Sequence, residues 1–286
     1  MNEQNTADPA STVARLESTS RKVLTPCGDG NMVWRVWGSG SPLILLHGGY
    51  GSWTHWLRNI EILQKTYCIV APDLPGLGDS DKPPEPHGYE SIARIVADGI
   101  LRIFPESRPI PLVGFSFGSM VGTFAAAMLK DRLSSLTLVG TSGFGPRPPP
   151  VDLGRRTPKM TPAELAALQR DNLAKFMFAD PRKIDEMAVH LQVENTGRAR
   201  VKSRALVRTD SLLKPLSEVT ARINSIWGDR DRAAGDFLPE RVTILRGIQP
   251  DAQIGLIPGA GHWVQYEAAG EFNPMLLNFL ATDRRP

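Results

Sequence analysis

The strongest constraint on the fold is an alternation along the chain. Short, continuously apolar runs recur and are separated by segments with helical spacing. The apolar runs are "PLILLHGG" (Pro42 to Gly49), "YCIVAPDLPG" (Tyr67 to Gly76), "IPLVGFS" (Ile110 to Ser116), "LSSLTLVGTS" (Leu133 to Ser142), "INSIWGD" (Ile223 to Asp229) and "AQIGLIPG" (Ala252 to Gly259). "MVWRVWG" (Met32 to Gly38) alternates like a half-buried strand. In "YESIARIVADGILRIF" the residues Ile92, Ile95, Val96 and Ile100 share one helix face. "FGSMVGTFAAAMLK" and a final pattern from Glu271 to Leu280 also read as helices. Strands that are apolar throughout must be covered on both faces, which is the signature of a parallel sheet between helices. Crossovers in such sheets are right-handed, so the loops after the strands gather at one edge, where ligands bind. The expected fold class is therefore α/β, a mostly parallel sheet with helices on both faces.

One segment breaks the alternation. From Gly143 to Leu216 no buried strand is evident, and the segment opens with the proline- and glycine-rich "GFGPRPPPVDLGRRTPKM". "TPAELAALQRDNLAKFMF" then carries a helix start, with Thr161 as N-cap, Pro162 in the first turn and Glu164 three residues on. "DPRKIDEMAVHLQ" repeats the signal at Asp180 and Pro181. The expected organisation is a core of 21–142 and 217–286, a helical cap of 143–216 inserted between strands, and a polar, mobile tail of 1–20.

The 286 residues, 41% of them hydrophobic, suffice for one domain with an insertion. A formal net charge of +3 is too small to argue for nucleic acid. Cys27 and Cys68 lack metal or redox spacing. No run approaches the roughly 18 apolar residues of a membrane helix. The first residues hold no apolar stretch of signal-peptide length, so a cytoplasmic protein is expected. A homo-oligomer is compatible with all of this.

The chemistry starts at "PLVGFSFGSMVG", where Ser116 lies between Gly114 and Gly118. At this glycine and serine content about 0.15 such G-x-S-x-G matches arise by chance, so the pattern alone says little. Its setting says more. It follows a strand and opens a helix, the turn that holds a serine hydroxyl exposed above a sheet. A serine needs a base, and the base needs an orienting acid. Of the histidines, only His262, in "IPGAGHW", lies late in the chain in a glycine-rich loop after a strand. "SIWGDRDR" offers Asp229 and Asp231 as the acid. The backbone N–H groups of Gly49, in "LLHGGYGS", and of Phe117, at the helix start, are candidates for an oxyanion hole. Gly48, Trp53, Phe115 and Trp263, with Phe176, Met177 and Phe178 from the cap, are candidates to line a substrate pocket.

With these pieces the chain resembles the serine hydrolases of the α/β-hydrolase fold. "HGGYGSWTHWLRNI" resembles the oxyanion loop of that family, "APDLPGLGDSDKP" the segment after the next strand, "WGDRDR" the acid loop, and "GAGHWVQYEAAGEFNPMLLNFL" the histidine loop and last helix. The resemblance implies the order Ser116, Asp231, His262 and assigns the acid to Asp231. It implies a small carbonyl substrate of carboxylic ester type and no metal or cofactor. Within the family, "GHWVQYE…FN…NFL" and the pair Trp56 and Asn59 are similar to the carbon–carbon hydrolases of meta-cleavage pathways, which cleave dienoate 1,5-diketones bearing a carboxylate. "GFSFGS" departs from those enzymes at Phe115, Phe117 and Ser119. Arg198, Arg200, Lys202, Arg204 and Arg208 are the candidates for gripping such a carboxylate. A ligand receptor of slow or no turnover and a cofactor-free oxygenase are the rivals on the same fold. Ser116 in the nucleophile position counts against dehalogenases and epoxide hydrolases, which use a carboxylate there.

Overall fold

The computed structural model describes residues 8–105, 108–146, 148–206 and 211–282, without the side chains of residues 204 and 205. Eight strands form one sheet: β1 (Arg21–Cys27), β2 (Gly30–Trp37), β3 (Ser41–Leu46), β4 (Tyr67–Pro72), β5 (Ile110–Phe115), β6 (Leu133–Val139), β7 (Arg222–Gly228) and β8 (Gln253–Ile257). Their spatial order is β1-β2-β4-β3-β5-β6-β7-β8. β2 pairs antiparallel with both β1 and β4, and all other neighbours are parallel. The continuously apolar runs are the parallel strands, as two-sided burial demands.

Alternate residues of each strand feed two separate cores. Ile44, Leu46, Leu112 and Leu136 face one side and pack with α3 (Tyr89–Ile103) and α4 (Phe117–Leu129) through Ile92, Val96, Val121 and Ala125. Leu43, Leu45, Val113 and Ile226 face the other, against Ile60 of α2 (Leu57–Leu63) and Phe272 and Leu276 of α11 (Ala269–Thr282). α9 (Leu238–Ile248) covers the first face through Leu245.

Between β6 and β7 lies a helical insertion. It contains α5 (Pro162–Asn172), α6 (Glu186–Arg198), the single turn α7 (Ser203–Leu206) and α8 (Leu213–Ser217). The α5 start is as expected: Thr161 Oγ1 accepts the Glu164 N–H at 3.3 Å, and Glu164 Oε2 accepts the Thr161 N–H at 2.8 Å. The second signal is displaced. Asp180 caps only a short turn, Pro181–Lys183, and α6 begins after Asp185, whose carboxylate accepts the Ala188 N–H. Ile184 between them is extended, so the turn does not propagate.

One expectation for the N-terminal part fails, and one strand there was not foreseen. Pro9–Ser18 is not a tail: it forms a helix, α1, capped by Asp8. The helix is polar, and its anchors are distant in sequence. Leu16 is buried, its carbonyl accepts the Trp37 indole N–H at 2.8 Å, and Glu17 pairs with Arg35. β1 also had no sequence signal, because it is an edge strand that buries only Thr25 and Cys27.

Candidate active site

β5 delivers Ser116 at its carboxyl end, and α4 starts one residue later. Ser116 has φ 51°, a left-handed conformation that an L-residue adopts at a cost. The two flanking glycines make it feasible. A Cβ on Gly118 would stand 2.5 Å from the carbonyl oxygens of Leu46 and His47, and one on Gly114 would stand 2.5 Å from that of Gly118. Ser119, where the motif departs from the carbon–carbon hydrolases, is buried and donates to the Gly114 carbonyl, binding α4 to β5.

The structure brings Ser116, His262 and Asp231 together. Ser116 Oγ is 2.9 Å from His262 Nε2, and His262 Nδ1 lies 2.9 and 3.0 Å from the two Asp231 carboxylate oxygens. Asp231 and His262 are both buried. Asp231 Oδ1 also accepts the Ala233 N–H at 2.7 Å, so the carboxylate is fixed before it meets the imidazole. Asp229 is elsewhere: it accepts the Gly259 N–H at 2.7 Å and ties the end of β7 to that of β8. Gly49 lies beside Phe117, since a Cβ on Gly49 would be 3.5 Å from Phe117 Cβ. As the first residue of α4, Phe117 has an N–H with no helical carbonyl one turn back.

The other pocket candidates separate. Phe115 lies between His55 and His262, with ring centroids 5.5 and 5.1 Å away. Phe176 of the insertion stands 4.9 Å from the His262 ring on another side. Trp53 packs on Trp37 and Arg35. Gly48 has both polar groups engaged, its N–H by His55 Nδ1 at 3.1 Å and its carbonyl by His47 Nδ1 at 2.7 Å. Trp263 is buried, stacks on Tyr266 and donates to the His55 carbonyl. Trp56 and Asn59 belong to scaffolding: Asn59 Nδ2 donates to Asn273 Oδ1 and to the Gln265 carbonyl, locking α2 to the last helices. Arg198 pairs with Asp79, and Arg200 donates to the carbonyls of Gly78 and Ser80, so both hold the insertion to the loop after β4. Lys202 is exposed, and Arg208 and the Arg204 side chain lie outside what the structure describes.

Three contributors had no clear sequence signal. Gly140, φ 53°, lies against the acid–base pair; a Cβ there would be 3.2 Å from both Asp231 Oδ2 and His262 Nδ1. Glu267 is buried and accepts the N–H groups of Gly261, Ala179 and Asp180, fastening the histidine loop to the insertion. The Trp263 N–H donates to the Met177 carbonyl at 2.8 Å in the same seam. His55 is buried beside Gly48, Gly51, Phe115 and Trp263.

Burial pushes the His55 imidazole well below its ordinary range, and nearby His47 and His262 add to this. Burial also lowers His47, partly offset by Asp73 and by the Gly48 carbonyl. The hydrogen bonds agree, since the Leu74 N–H donates to His47 Nε2 and needs an unprotonated nitrogen. Below pH about 6.5 the unfolded chain binds protons at these positions before the folded chain does. Stability should therefore fall as pH drops from about 6.5, by at most about 1.4 kcal/mol per pH unit for each group. Urea midpoints between pH 7.5 and 5 check this; a flat profile contradicts it, and His55→Asn should flatten the slope.

Among the described residues no cluster of His, Cys, Asp or Glu could hold a metal, and no helix is long and apolar enough to cross a membrane.

A family model described as the α/β-hydrolase fold matches residues 41–177, from β3 through the nucleophile turn into the insertion. The chain has the α/β-hydrolase fold. Two curated relatives extend the likeness over nearly the whole chain. It is 27% identical over 284 residues to a 2-hydroxy-6-oxo-6-phenylhexa-2,4-dienoate hydrolase of Burkholderia cepacia, covering 93% of this chain and 98% of the relative. It is 29% identical over 296 residues to a 2-hydroxy-6-oxononadienedioate/2-hydroxy-6-oxononatrienedioate hydrolase of Burkholderia vietnamiensis, covering 94% and 98%. Among solved structures, a bacterial membrane phospholipase A superposes with TM-score 0.76 at 22% identity, over 97% of this chain and 93% of that one, a likeness of fold. Both relatives are named as hydrolases of 2-hydroxy-6-oxo dienoates.

Proposed function

We propose that the protein is a serine hydrolase whose substrate is a dienoate 1,5-diketone of the meta-cleavage class, cleaved at a carbon–carbon bond. The observation that carries the hydrolase part is the unbroken relay from Ser116 Oγ through His262 to Asp231, with Ser116 held at φ 51°. The substrate class rests on the full-length relatives.

In this reading His262 Nε2 takes the Ser116 proton while Asp231 orients the ring and stabilises the imidazolium. Ser116 adds to the ketone carbonyl. The N–H groups of Gly49 and Phe117 receive the oxyanion, each worth about 3 kcal/mol by analogy with other oxyanion holes. His262 also assists ketonisation of the dienol beforehand. The C–C bond of the tetrahedral adduct then breaks, leaving an acyl ester on Ser116; the electron pair departs on the conjugated 2-oxo acid as a dienolate, which takes its proton from the His262 imidazolium. Water activated by His262 releases the second acid and restores Ser116.

Ester hydrolysis is the second reading. It is favoured by the commitment of Arg198 and Arg200 to the loop after β4, which leaves neither free for a substrate carboxylate. A panel of p-nitrophenyl esters and 2-hydroxy-6-oxo-6-phenylhexa-2,4-dienoate decides between them. The dienoate should be cleaved with a kcat/KM at least tenfold above that of any ester. The reverse order selects the esterase, and saturable binding without turnover selects the receptor.

A further inference from the structure

Ser203 carries an observation that the mechanism above does not use. It lies in α7, is 1% exposed, and its hydroxyl has no hydrogen-bond partner among the described residues. A buried hydroxyl left unpaired lowers stability unless a ligand completes it. The place of this one is specific. Ser203 Oγ fills the space directly over Gly49, where any Cβ would collide with it, and that same point is 3.5 Å from Phe117 Cβ. The orphan hydroxyl thus lies against Gly49, which itself lies beside Phe117, the two residues whose N–H groups form the proposed oxyanion hole. Other unpaired buried hydroxyls, those of Ser135 and Thr137, belong to β6 and do not touch Gly49.

The backbone that presents Ser203 is fixed. The Arg200 N–H donates to the Gly76 carbonyl at 2.8 Å, and the Ser203 N–H donates to that of Val201 at 3.1 Å. Val201 is buried and packs against Gly76, where a Cβ would strike its side chain. The Arg200 guanidinium holds the Gly78 and Ser80 carbonyls. Ser203 is delivered to the nucleophile by the insertion, while Gly49 and Phe117 come from the sheet edge.

We propose that Ser203 Oγ–H is a third donor to the oxyanion, a side-chain contact made when the substrate carbonyl oxygen enters between Gly49, Phe117 and α7. The proposal rests on Ser116 being the nucleophile. It completes the oxyanion hole only with the insertion seated, which ties the chemistry to the Arg198–Asp79 and Arg200 contacts.

The test is the rate at which a fluorophosphonate phosphonylates Ser116, followed by intact mass for the wild type, Ser203→Ala, Ser203→Cys and Ser116→Ala. Attack on phosphorus develops the same kind of anionic oxygen and needs no knowledge of the natural substrate. Ser203→Ala and Ser203→Cys should slow labelling by about 100-fold or more. Their melting temperatures should be no lower than that of the wild type, because the hydroxyl removed has no structural partner. On any substrate turned over, kcat should fall while KM changes less than threefold. Labelling of both variants at the wild-type rate overturns the proposal, as does a loss of rate matched by a loss of stability. Labelling of Ser116→Ala as fast as the wild type, or none of the wild type, overturns instead the nucleophile assignment beneath it.

Discussion

His262→Ala should reduce turnover by about 10⁴- to 10⁶-fold on every substrate the wild type hydrolyses, because nucleophile activation and water activation are lost together. The expectation follows from one contact pair: Nε2 at 2.9 Å from Ser116 Oγ and Nδ1 within 3.0 Å of both Asp231 oxygens. Neither of the two buried histidines near it, His55 and His47, can take over. His55 is buried with Nδ1 engaged by Gly48, and His47 has both ring nitrogens bonded to backbone. The fold should survive the substitution, since Glu267 holds the Gly261 N–H and Met177 the Trp263 N–H on either side. Steady-state kinetics with circular dichroism on the same samples check both statements. A residual rate within tenfold of wild type would remove His262 from the mechanism.

The second large effect separates two neighbouring aspartates. Asp231→Asn should lower kcat by about 10⁴-fold, because an amide can donate to Nδ1 and hold the ring in the wrong tautomer. Asp229→Asn should stay within a few-fold, since Asp229 Oδ1 meets only the Gly259 N–H among the described contacts. The reverse pattern would place the acid at Asp229. Arg241 gives the comparison a useful background. It is buried, donates to the Thr141 and Ala233 carbonyls, and its nearby charge interacts with Asp231. The acid loop is therefore fastened independently of the carboxylate, and Asp231→Asn should alter chemistry more than architecture.

The parallel part of the sheet was legible because each strand is buried on both faces and so is apolar throughout. The strand-to-helix turn at Ser116 was legible because Gly114 is demanded by the Gly118 carbonyl within the turn and Gly118 by the Leu46 and His47 carbonyls at the end of β3. What escaped was held by partners far along the chain. α1 is a polar helix whose anchors, Trp37 and Arg35, come from β2. Glu267 reads as a surface acid until the chain places three N–H groups around it. Gly140 looks like a turn residue and proves to be the floor of the acid–base pair. The similarity to carbon–carbon hydrolases was carried by Trp56, Asn59 and the tail around Trp263. Those residues pack the last helices against α2. Sequence likeness there bears on the packing of those helices.

The most direct test of the central claim is hydrolysis by Ser116→Ala of the ester and dienoate panel, measured beside the wild type. Loss of at least about 10⁴-fold on every substrate turned over, with substrate binding retained, is the expected result. Hydrolysis by Ser116→Ala at the wild-type rate would contradict it.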